Sequence, residues 1–342
     1  MSSSSIAISI VPSPEHNLQS HPENVSRFQY FDQLINMPQG FEVLSVEPVR
    51  PTDEILENVH PREYIQTLAQ AVKKGPGFID HGDTYITQES LSAARKAVGG
   101  MLGVLNSIAA GNTDVGFALI RPPGHHATAT QPMGFCLLNN VAIAARYAQG
   151  LRYKKVLIVD FDVHHGNGTQ AIFDDDPDVL YFSTHQVGIF PGSGHIHEIG
   201  RGDGVGTSIN VPLPAMAGDE AISTICNEIL CPRAAIFEPD ILLVSAGFDA
   251  HWDDPLANLQ FTIAGYHRIS TVLKSIANDH CDGKILFVLE GGYNPKTLLD
   301  AIKSVLSALS GRPAPEIPGD VAPYSEPSIF SLVDQVRQIH NL

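Results

Sequence analysis

The stretch KVLIVDFDVHHGNG, at residues 155–168, joins an apolar run to a polar segment that contains two glycines. The run at residues 155–159 shows no alternation of apolar and polar residues, which is typical of a strand buried on both faces of a parallel sheet. The polar segment at residues 160–168 begins where that strand would end. We therefore interpret the stretch as a central strand followed by a loop that carries chemistry.

Further apolar runs of the same kind occur on both sides of this strand: VGFALI at 115–120, VLYFS at 179–183, ILLVS at 241–245 and ILFVL at 285–289. Between the runs lie helix-like patterns, at residues 89–109, 139–149, 219–237 and 262–278. This alternation predicts an α/β protein with one doubly wound parallel sheet. We expect a single domain over residues 1–311. A proline-rich extension over residues 312–342 is predicted to pack on the same domain and to end in a short helix.

The composition excludes several classes of protein. With 342 residues, 43% hydrophobic and 17% charged, the chain is neither disordered nor a coiled coil. A formal net charge of −16 disfavours direct nucleic-acid binding and suits a cationic partner better. No apolar run approaches the roughly 18 residues of a membrane span. Four scattered cysteines indicate neither a disulfide framework nor a thiolate zinc site. The start of the chain has no basic region before an apolar core, so we expect a cytoplasmic protein or one imported into an organelle.

Each of four polar, glycine-containing segments follows one of the buried runs: RPPGHHA at 121–127, DFDVHHGNG at 160–168, AGFDAH at 246–251 and EGGYN at 290–294. Residues just beyond the carboxyl ends of parallel strands gather in one crevice. We therefore expect these four segments to meet in space, although 173 residue numbers separate the first from the last (294 minus 121).

The segment at residues 160–168 carries a candidate metal site. In an extended backbone, Asp160, Asp162 and His164 project from one face. Asp162 and His164 could hold a metal together, with Asp249 as a third ligand. Three ligands of mixed oxygen and nitrogen type leave a position open for water or substrate, as catalytic zinc sites do. The alternative is that the carboxylates cap strand ends and the histidine is packed, which explains one such residue better than three after separate strands.

His125 and His126 follow two prolines and a glycine, on a turn with little backbone freedom. A water that attacks a carbonyl needs one group to take its proton and one to protonate the leaving amine, and imidazoles titrate in the correct range for both. Tyr293, after two glycines, is the natural hydroxyl donor to an oxyanion. The alternative for each is a structural role in packing or backbone hydrogen bonding.

These segments, together with GFC at 134–136, STH at 183–185, FPGSG at 190–194 and SAGFDAHWDDPL at 245–256, resemble the zinc-dependent histone deacetylase and acetylpolyamine amidohydrolase superfamily, particularly its class II-like branch. The resemblance runs from HPENVSR at 21–27 to Tyr293. It implies the three-layer arginase/deacetylase fold, a single parallel sheet of about eight strands flanked by helices. It also implies a zinc-dependent hydrolase that removes acetyl groups from Nε-acetyl-lysine.

Carried over motif by motif, the resemblance assigns a role to each residue. One Zn²⁺ would be held by Asp162, His164 and Asp249. His126 would be the general base and acid, beside His125 as an electrostatic or proton-relay partner, and Tyr293 would stabilise the oxyanion. Asp160 would support His125, and Asn167 would support His126. Class I members have an aspartate where this chain has Asn167, so we expect a less basic His126 here.

The resemblance further implies a narrow apolar tunnel for the acetyl-lysine stem. Its walls would be Gly134, Phe135 and Phe190, with Leu256 at the mouth and Asp83, in GDTYI at 82–86, as a rim acid that holds the substrate backbone. Arg27 matches a residue lining an internal cavity behind the metal. Structural potassium ions would bind at two sites, the first at Asp160, Asp162, His164, Ser183 and Thr184, the second at Phe173, Asp176 and Val179.

Three other functions remain in view. An arginase-like pair of manganese ions would need further carboxylates where the chain has Gly166 and His251, so one metal ion is favoured. Acetylpolyamine hydrolysis shares every catalytic residue, and Leu256 in place of an acidic gatekeeper modestly favours acyl-lysine. A catalytically dead acetyl-lysine reader would not need Tyr293. The motifs resemble deacetylases of plastids and bacteria, so plastid stroma or bacterial cytosol is expected, while substrate and oligomeric state stay open at the level of sequence.

Overall fold

The computed structural model describes residues 5–35, 42–80 and 82–342. Its central element is a parallel sheet of eight strands, which confirms the predicted sheet. A separate antiparallel pair is formed by two short strands. In chain order the strands are β1 (Ser5–Val11), β2 (Glu42–Ser45), β3 (Gly77–Phe78), β4 (Tyr85–Ile86), β5 (Val115–Ile120), β6 (Val156–Asp160), β7 (Val179–Gln186), β8 (Ser208–Leu213), β9 (Ile241–Ala246) and β10 (Ile285–Leu289).

The strand order in the large sheet is β2-β1-β5-β10-β9-β6-β7-β8. Every neighbouring pair in it is parallel. The strands that precede the four polar segments are β5, β10, β9 and β6, and they are consecutive in the sheet. The carboxyl ends of these strands therefore bring the four segments to one edge, as expected from the doubly wound topology.

Five of the eight strands coincide with the predicted apolar runs, and three were not predicted. β1 (SIAISIV) and β8 (SINVPL) contain serine, asparagine or proline, which interrupt the apolar pattern. β2 and β8 are the edge strands, where one side of the backbone has no neighbouring strand and proline is tolerated. Sequence patterns detect central parallel strands more readily because both faces of those strands must be apolar.

Helices cover both faces of the sheet. The successive residues of β6 show the layering, because Val156 and Ile158 belong to one buried apolar cluster and Leu157 and Val159 to another. The helices are α1 (Asp32–Ile35), α2 (Asp53–Glu57), α3 (Arg62–Lys74), α4 (Ser90–Ala109), α5 (Asn140–Leu151), α6 (Asn167–Phe173), α7 (Asp219–Ile225), α8 (Cys231–Phe237), α9 (Ile263–His280), α10 (Pro295–Leu309) and α11 (Phe330–His340). A π-helical turn at Cys226–Leu230 joins α7 to α8.

The residues after α10 contact the body of the protein through two carboxylates and a helix. Glu326 accepts backbone N–H groups at the start of α7, and Asp320 accepts from His251 and Trp252. α11 then packs on the sheet, with Val333 and Val336 buried in the apolar cluster. The division at residue 311 stays a prediction. Among the described residues, no helix combines the length and apolarity needed to cross a bilayer.

Candidate active site

Hydrogen bonds from backbone N–H groups to side-chain carboxylates connect the four polar segments directly. The backbone N–H of Gly124, after β5, donates to the carboxylate of Glu290, after β10, at 2.6 Å. Gly291 donates its N–H to Oδ2 of Asp162, after β6, at 2.9 Å. The backbone N–H of Val163 donates to Oδ1 of Asp249, after β9, at 3.0 Å. The segments thus form one network of buried groups.

The structure brings the three predicted metal ligands together. Ligand atoms of Asp162, His164 and Asp249 all lie within 4.8 Å of one another. Nδ1 of His164 is 3.2 Å from Oδ1 of Asp162 and 3.2 Å from Oδ2 of Asp249. Gly291 is required beside them, since a Cβ at that position would lie 2.1 Å from Oδ2 of Asp249. Two carboxylates and one imidazole are a donor set that suits a divalent cation such as Zn²⁺.

The three predicted metal ligands are ionisable groups that lie close together. Burial raises the pKa of Asp249, and the neighbouring carboxylate of Asp162 raises it further. Burial also opposes ionisation of Asp162, but the imidazoles of His125 and His164 lower its pKa well below the ordinary value. Two buried carboxylates this close repel each other, and a cation between them relieves that repulsion. The electrostatics of the cluster are therefore consistent with a metal site.

The adjacent histidines have different partners. Nδ1 of His125 lies 3.0 Å from Oδ2 of Asp160, and Nδ1 of His126 lies 2.8 Å from Oδ1 of Asn167. An amide oxygen only accepts, so Nδ1 of His126 carries the proton and Nε2 keeps its lone pair. The two rings are 4.0 Å apart between centroids.

The pKa values of His125 and His126 are shifted in opposite directions because their neighbours differ. Burial lowers the pKa of His125, but the carboxylates of Asp160 and Asp162 outweigh burial and raise it to about 10. For His126, burial and the charges of His125 and His164 hold the pKa well below its usual range. The surroundings therefore shift the pKa values of the two imidazoles in opposite directions, which suits a pair with different acid–base roles.

Tyr293 lies against Arg27 and Phe135. The guanidinium of Arg27 lies over its ring, 5.0 Å from the centroid, and the ring of Phe135 meets it edge-on at 5.9 Å. Burial raises the pKa of Tyr293 well above its ordinary value, and the charge of Asp249 adds to this effect. The phenol is therefore a hydroxyl donor at neutral pH.

Two of the predicted tunnel residues, Phe190 and Gly134, lie next to His126. Phe190 meets the His126 ring edge-on at 5.0 Å between centroids. Gly134 has a φ of +52°, and a Cβ there would lie 2.4 Å from Cδ2 of His126 and 2.8 Å from Cε1 of Phe190. Both conformation and space thus require glycine at this wall.

The predicted rim residue Asp83 is linked to the tunnel through Thr84. The hydroxyl of Thr84 donates to Oδ1 of Asp83 at 3.2 Å and accepts the backbone N–H of Phe135 at 3.0 Å. Asp83, Asp80 and Phe190 line a groove of about 490 Å³ that opens beside the tunnel. Burial and the neighbouring carboxylate of Asp80 raise the pKa of Asp83 to about 6. The backbone N–H of Leu256, the predicted residue of the tunnel mouth, donates to Oδ1 of Asp254 at 3.1 Å.

Two buried carboxylates in the site were not identified from the sequence. Glu290 accepts the backbone N–H groups of Gly124 and His125 and the hydroxyl of Ser245, so it fixes the turn that carries both histidines. Asp254 accepts the backbone N–H of Tyr293 at 2.7 Å. The signal for Glu290 was available, because a charged residue directly after a buried strand must find partners. Nothing in the sequence distinguished Asp254 from its neighbour Asp253.

Arg27 belongs to a second buried cluster behind Tyr293. Its Nε donates to the carbonyl of Gly292 at 2.7 Å, and one terminal nitrogen donates to the carbonyl of Glu290 at 2.6 Å. The carboxylate of Glu23 pairs with both Arg27 and Arg121. Burial would raise the pKa of Glu23, but the guanidinium of Arg121 outweighs it and lowers the pKa to about 2. The sequence pointed to Arg27 but to neither of its charged neighbours, Glu23 and Arg121.

Comparison with known proteins identifies the family. The model of the histone deacetylase domain matches residues 21–309. The chain belongs to the histone deacetylase family. It is 41% identical over 349 residues to the chloroplastic histone deacetylase 14 of Arabidopsis thaliana, covering 96% of this chain and 82% of that protein. It is 37% identical over 296 residues to a probable deacetylase of Archaeoglobus fulgidus, covering 85% and 82%.

The family assignment extends to the fold. The crystal structure of the HDA15 HD domain matches with a TM-score of 0.88 and 35% identity, covering 99% of this chain and 95% of that one. The resemblance seen in the sequence and the predicted arginase/deacetylase fold are both confirmed, and the family is one of deacetylases. The roles of individual residues and the potassium sites stay predictions.

Proposed function

We propose that this histone deacetylase family member hydrolyses N-acetyl amides with one bound Zn²⁺, and that its main substrates are proteins carrying Nε-acetyl-lysine. The observation that carries the proposal is the convergence of Asp162, His164 and Asp249 within 4.8 Å beside two histidines with different partners. A bound Zn²⁺ would polarise the acetyl carbonyl and lower the pKa of water, which is the chemistry of open zinc sites.

The chain's own residues would move the protons. His126 is neutral, and its free Nε2 would accept the proton of the attacking water and pass a proton to the leaving amine. His125 stays charged beside Asp160 and would stabilise negative charge that develops on the acyl group. The neutral phenol of Tyr293 would donate a hydrogen bond to the acyl oxygen as it becomes an oxyanion.

The tunnel would accept the apolar stem of the acylated side chain. Phe135 and Phe190 offer aromatic faces, and Gly134 leaves the space between them and His126 open. Asp83 at the rim would accept hydrogen bonds from the substrate backbone, and Leu256 would contact the substrate at the mouth. Burial of the methylene groups contributes about 0.8 kcal/mol each, which fixes the acetamide at the end of the tunnel.

Acetylpolyamines and other small N-acetyl amines are the second candidate substrates. Asp80 and Asp83 line the groove beside the tunnel, and the chain carries a formal net charge of −16, which attracts cationic substrates. A panel comparing kcat/KM for acetyl-lysine peptides, acetylpolyamines and neutral N-acetyl amines separates the two. A higher kcat/KM for the peptides supports the first candidate, and a higher value for the polyamines supports the second.

The test of the reaction itself uses a fluorogenic acetyl-lysine peptide. We expect turnover by the zinc-loaded protein, and loss of turnover after chelation with recovery when Zn²⁺ is returned. Tyr293→Phe removes one oxyanion donor and should lower kcat by about 10²- to 10³-fold. A folded, metal-loaded wild type that binds the peptide without hydrolysing it would instead indicate an acetyl-lysine reader.

The catalytic domain is proposed to occupy residues 1–311, with residues 312–342 packed on it as an extension. The cellular compartment is proposed to be the plastid stroma or the bacterial cytosol, and a relative named as chloroplastic supports the first of these. No direct binding to nucleic acid is proposed, because the charge of −16 repels a phosphate backbone.

A further inference from the structure

Asp254 lies in the middle of the loop between β9 and α9, which also carries the predicted metal ligand Asp249, and none of the proposed chemical steps uses it. Asp254 is only 7% exposed. Its Oδ2 accepts the backbone N–H of Tyr293 at 2.7 Å, and its Oδ1 accepts the backbone N–H of Leu256 at 3.1 Å. One carboxylate therefore joins the predicted oxyanion donor to the predicted residue of the tunnel mouth.

The segment around Tyr293 is held at successive residues. The backbone N–H of Gly291 donates to a predicted metal ligand at 2.9 Å, and the carbonyl of Gly292 accepts from Arg27 at 2.7 Å. Among the described residues, Asp254 supplies the hydrogen bond to the backbone of Tyr293 itself. The position of the tyrosine backbone is therefore tied to a different loop from the one that carries the aromatic tunnel walls.

Both oxygens of the Asp254 carboxylate are in use, each by a different segment. An asparagine at this position has one oxygen acceptor, and its amide N–H groups cannot accept a backbone N–H. The substitution must therefore leave either the Tyr293 or the Leu256 backbone without its partner. Neither segment lies in a regular helix or strand, so the hydrogen bond to Asp254 is not one of a ladder whose other members would hold the same backbone group.

We propose that Asp254 is a positioning residue that fixes the hydroxyl of Tyr293 relative to Leu256, the predicted residue of the tunnel mouth. This inference rests on the proposed function, because it assigns Asp254 to the placement of the oxyanion donor. Asp254 touches neither substrate nor metal and acts through Tyr293. Its removal should therefore lower kcat more than it raises KM, since the donor is needed most when charge develops on the acyl oxygen.

The test is a double-mutant cycle in the full-length, zinc-loaded protein with an acetyl-lysine peptide. We expect Asp254→Asn to lower kcat by about tenfold or more, since small misplacements of a catalytic group are costly, with KM changed less than about threefold. In a Tyr293→Phe background the same substitution should cost less than about twofold, because there is no hydroxyl left to position.

Two controls accompany the cycle. Asp219→Asn alters a carboxylate that accepts from the backbone N–H and hydroxyl of Thr262, at 3.0 and 2.7 Å, away from the site. It should leave kcat within about twofold of wild type, since Asp219 contacts no predicted site residue. Metal content and circular dichroism establish that each variant is folded and loaded. If Asp254→Asn does not fold, Asp254→Glu keeps both acceptor oxygens but displaces them by one methylene, and it should lower kcat in the same way.

The outcomes are distinguishable. Equal losses from Asp254→Asn in the wild-type and Tyr293→Phe backgrounds would mean that Asp254 acts elsewhere, and would overturn the inference alone. An unchanged kcat in folded Asp254→Asn would do the same. Absence of turnover by zinc-loaded wild type would overturn the proposed function and the inference with it.

Discussion

Asn167 gives the predicted general base His126 an uncharged hydrogen-bond partner. Its amide oxygen accepts from Nδ1 of His126 at 2.8 Å, and the pKa of His126 is held well below its ordinary value by burial and by His125 and His164. Asn167→Asp would place a negatively charged carboxylate beside the Nδ1–H group of His126. That carboxylate would stabilise the imidazolium and raise the pKa of His126. Because the base must be neutral to accept a proton, the acid limb of the kcat/KM profile should move to higher pH, by about one unit or more.

A pH profile of kcat/KM from pH 4 to 10 checks this prediction. The matched control is Asn106→Asp, the same change in α4, where the amide oxygen accepts the hydroxyl of Tyr147. An acid limb that stays in place in Asn167→Asp would show that His126 does not titrate as the base.

His60 should make the fold sensitive to acid. It is fully buried, its Nε2 accepts the backbone N–H of Asn139 at 2.9 Å, and its Nδ1 faces the carbonyl of Ala129 at 3.1 Å. Burial lowers its pKa to about 4, against about 6.5 when unfolded. As the pH falls, His60 is protonated in the unfolded state before it is protonated in the folded state. The contribution of His60 to the free energy of unfolding is therefore complete above pH 6.5 and is lost between pH 6.5 and 4.

The size of this loss is on the order of 3 kcal/mol at most. Urea unfolding at several pH values measures it. His60→Gln keeps an acceptor for the N–H of Asn139 but cannot titrate, so its free energy of unfolding should fall less steeply over the same range. An equal slope in wild type and variant would mean that other groups account for the acid sensitivity.

At the scale of single elements, α7 begins with a cap supplied from far along the chain. The carboxylate of Glu326 accepts the backbone N–H groups of Gly218, Glu220 and Ala221, at 2.8 to 2.9 Å. Negative charge and an acceptor at a helix start are both stabilising. Glu326→Ala should therefore lower the free energy of unfolding by about 1–2 kcal/mol, measured by urea denaturation. Glu316→Ala, at an exposed residue of the same extension, should change it by less than about 0.5 kcal/mol.

The elements also show which parts of the structure could be predicted. Central strands were found because two-sided burial leaves uninterrupted apolar runs, whereas the edge strands β2 and β8 carry polar residues or proline. The sequence predicted that Asp162, His164 and Asp249 lie close together because their types and positions after strands are specific, and the structure brings them within 4.8 Å of one another. Asp254 was missed because its partners are backbone N–H groups, which no pattern of side chains reveals, whereas the position of Glu290 directly after a buried strand was a signal that went unused.

For the whole molecule, metal binding should be visible as stability. A ligand that binds only the folded state at 100 times its dissociation constant adds about 2.7 kcal/mol. Removing Zn²⁺ with a chelator should therefore lower the melting temperature by on the order of 5 °C, and returning it should restore the value. Differential scanning fluorimetry measures this. Asp249→Asn should abolish the shift, and Asp219→Asn should keep it. A shift of full size in Asp249→Asn would exclude that residue as a ligand.

The position of β10 also bears on how the protein is made. This strand comes last among those of the sheet along the chain, yet it inserts between β5 and β9. A nascent chain that ends before residue 285 must keep two unpaired strand edges apart, or shield them from each other and from neighbouring chains. The four polar segments can therefore come together only late in synthesis, when the five-residue strand β10 pairs with β5 and β9 in the middle of the sheet.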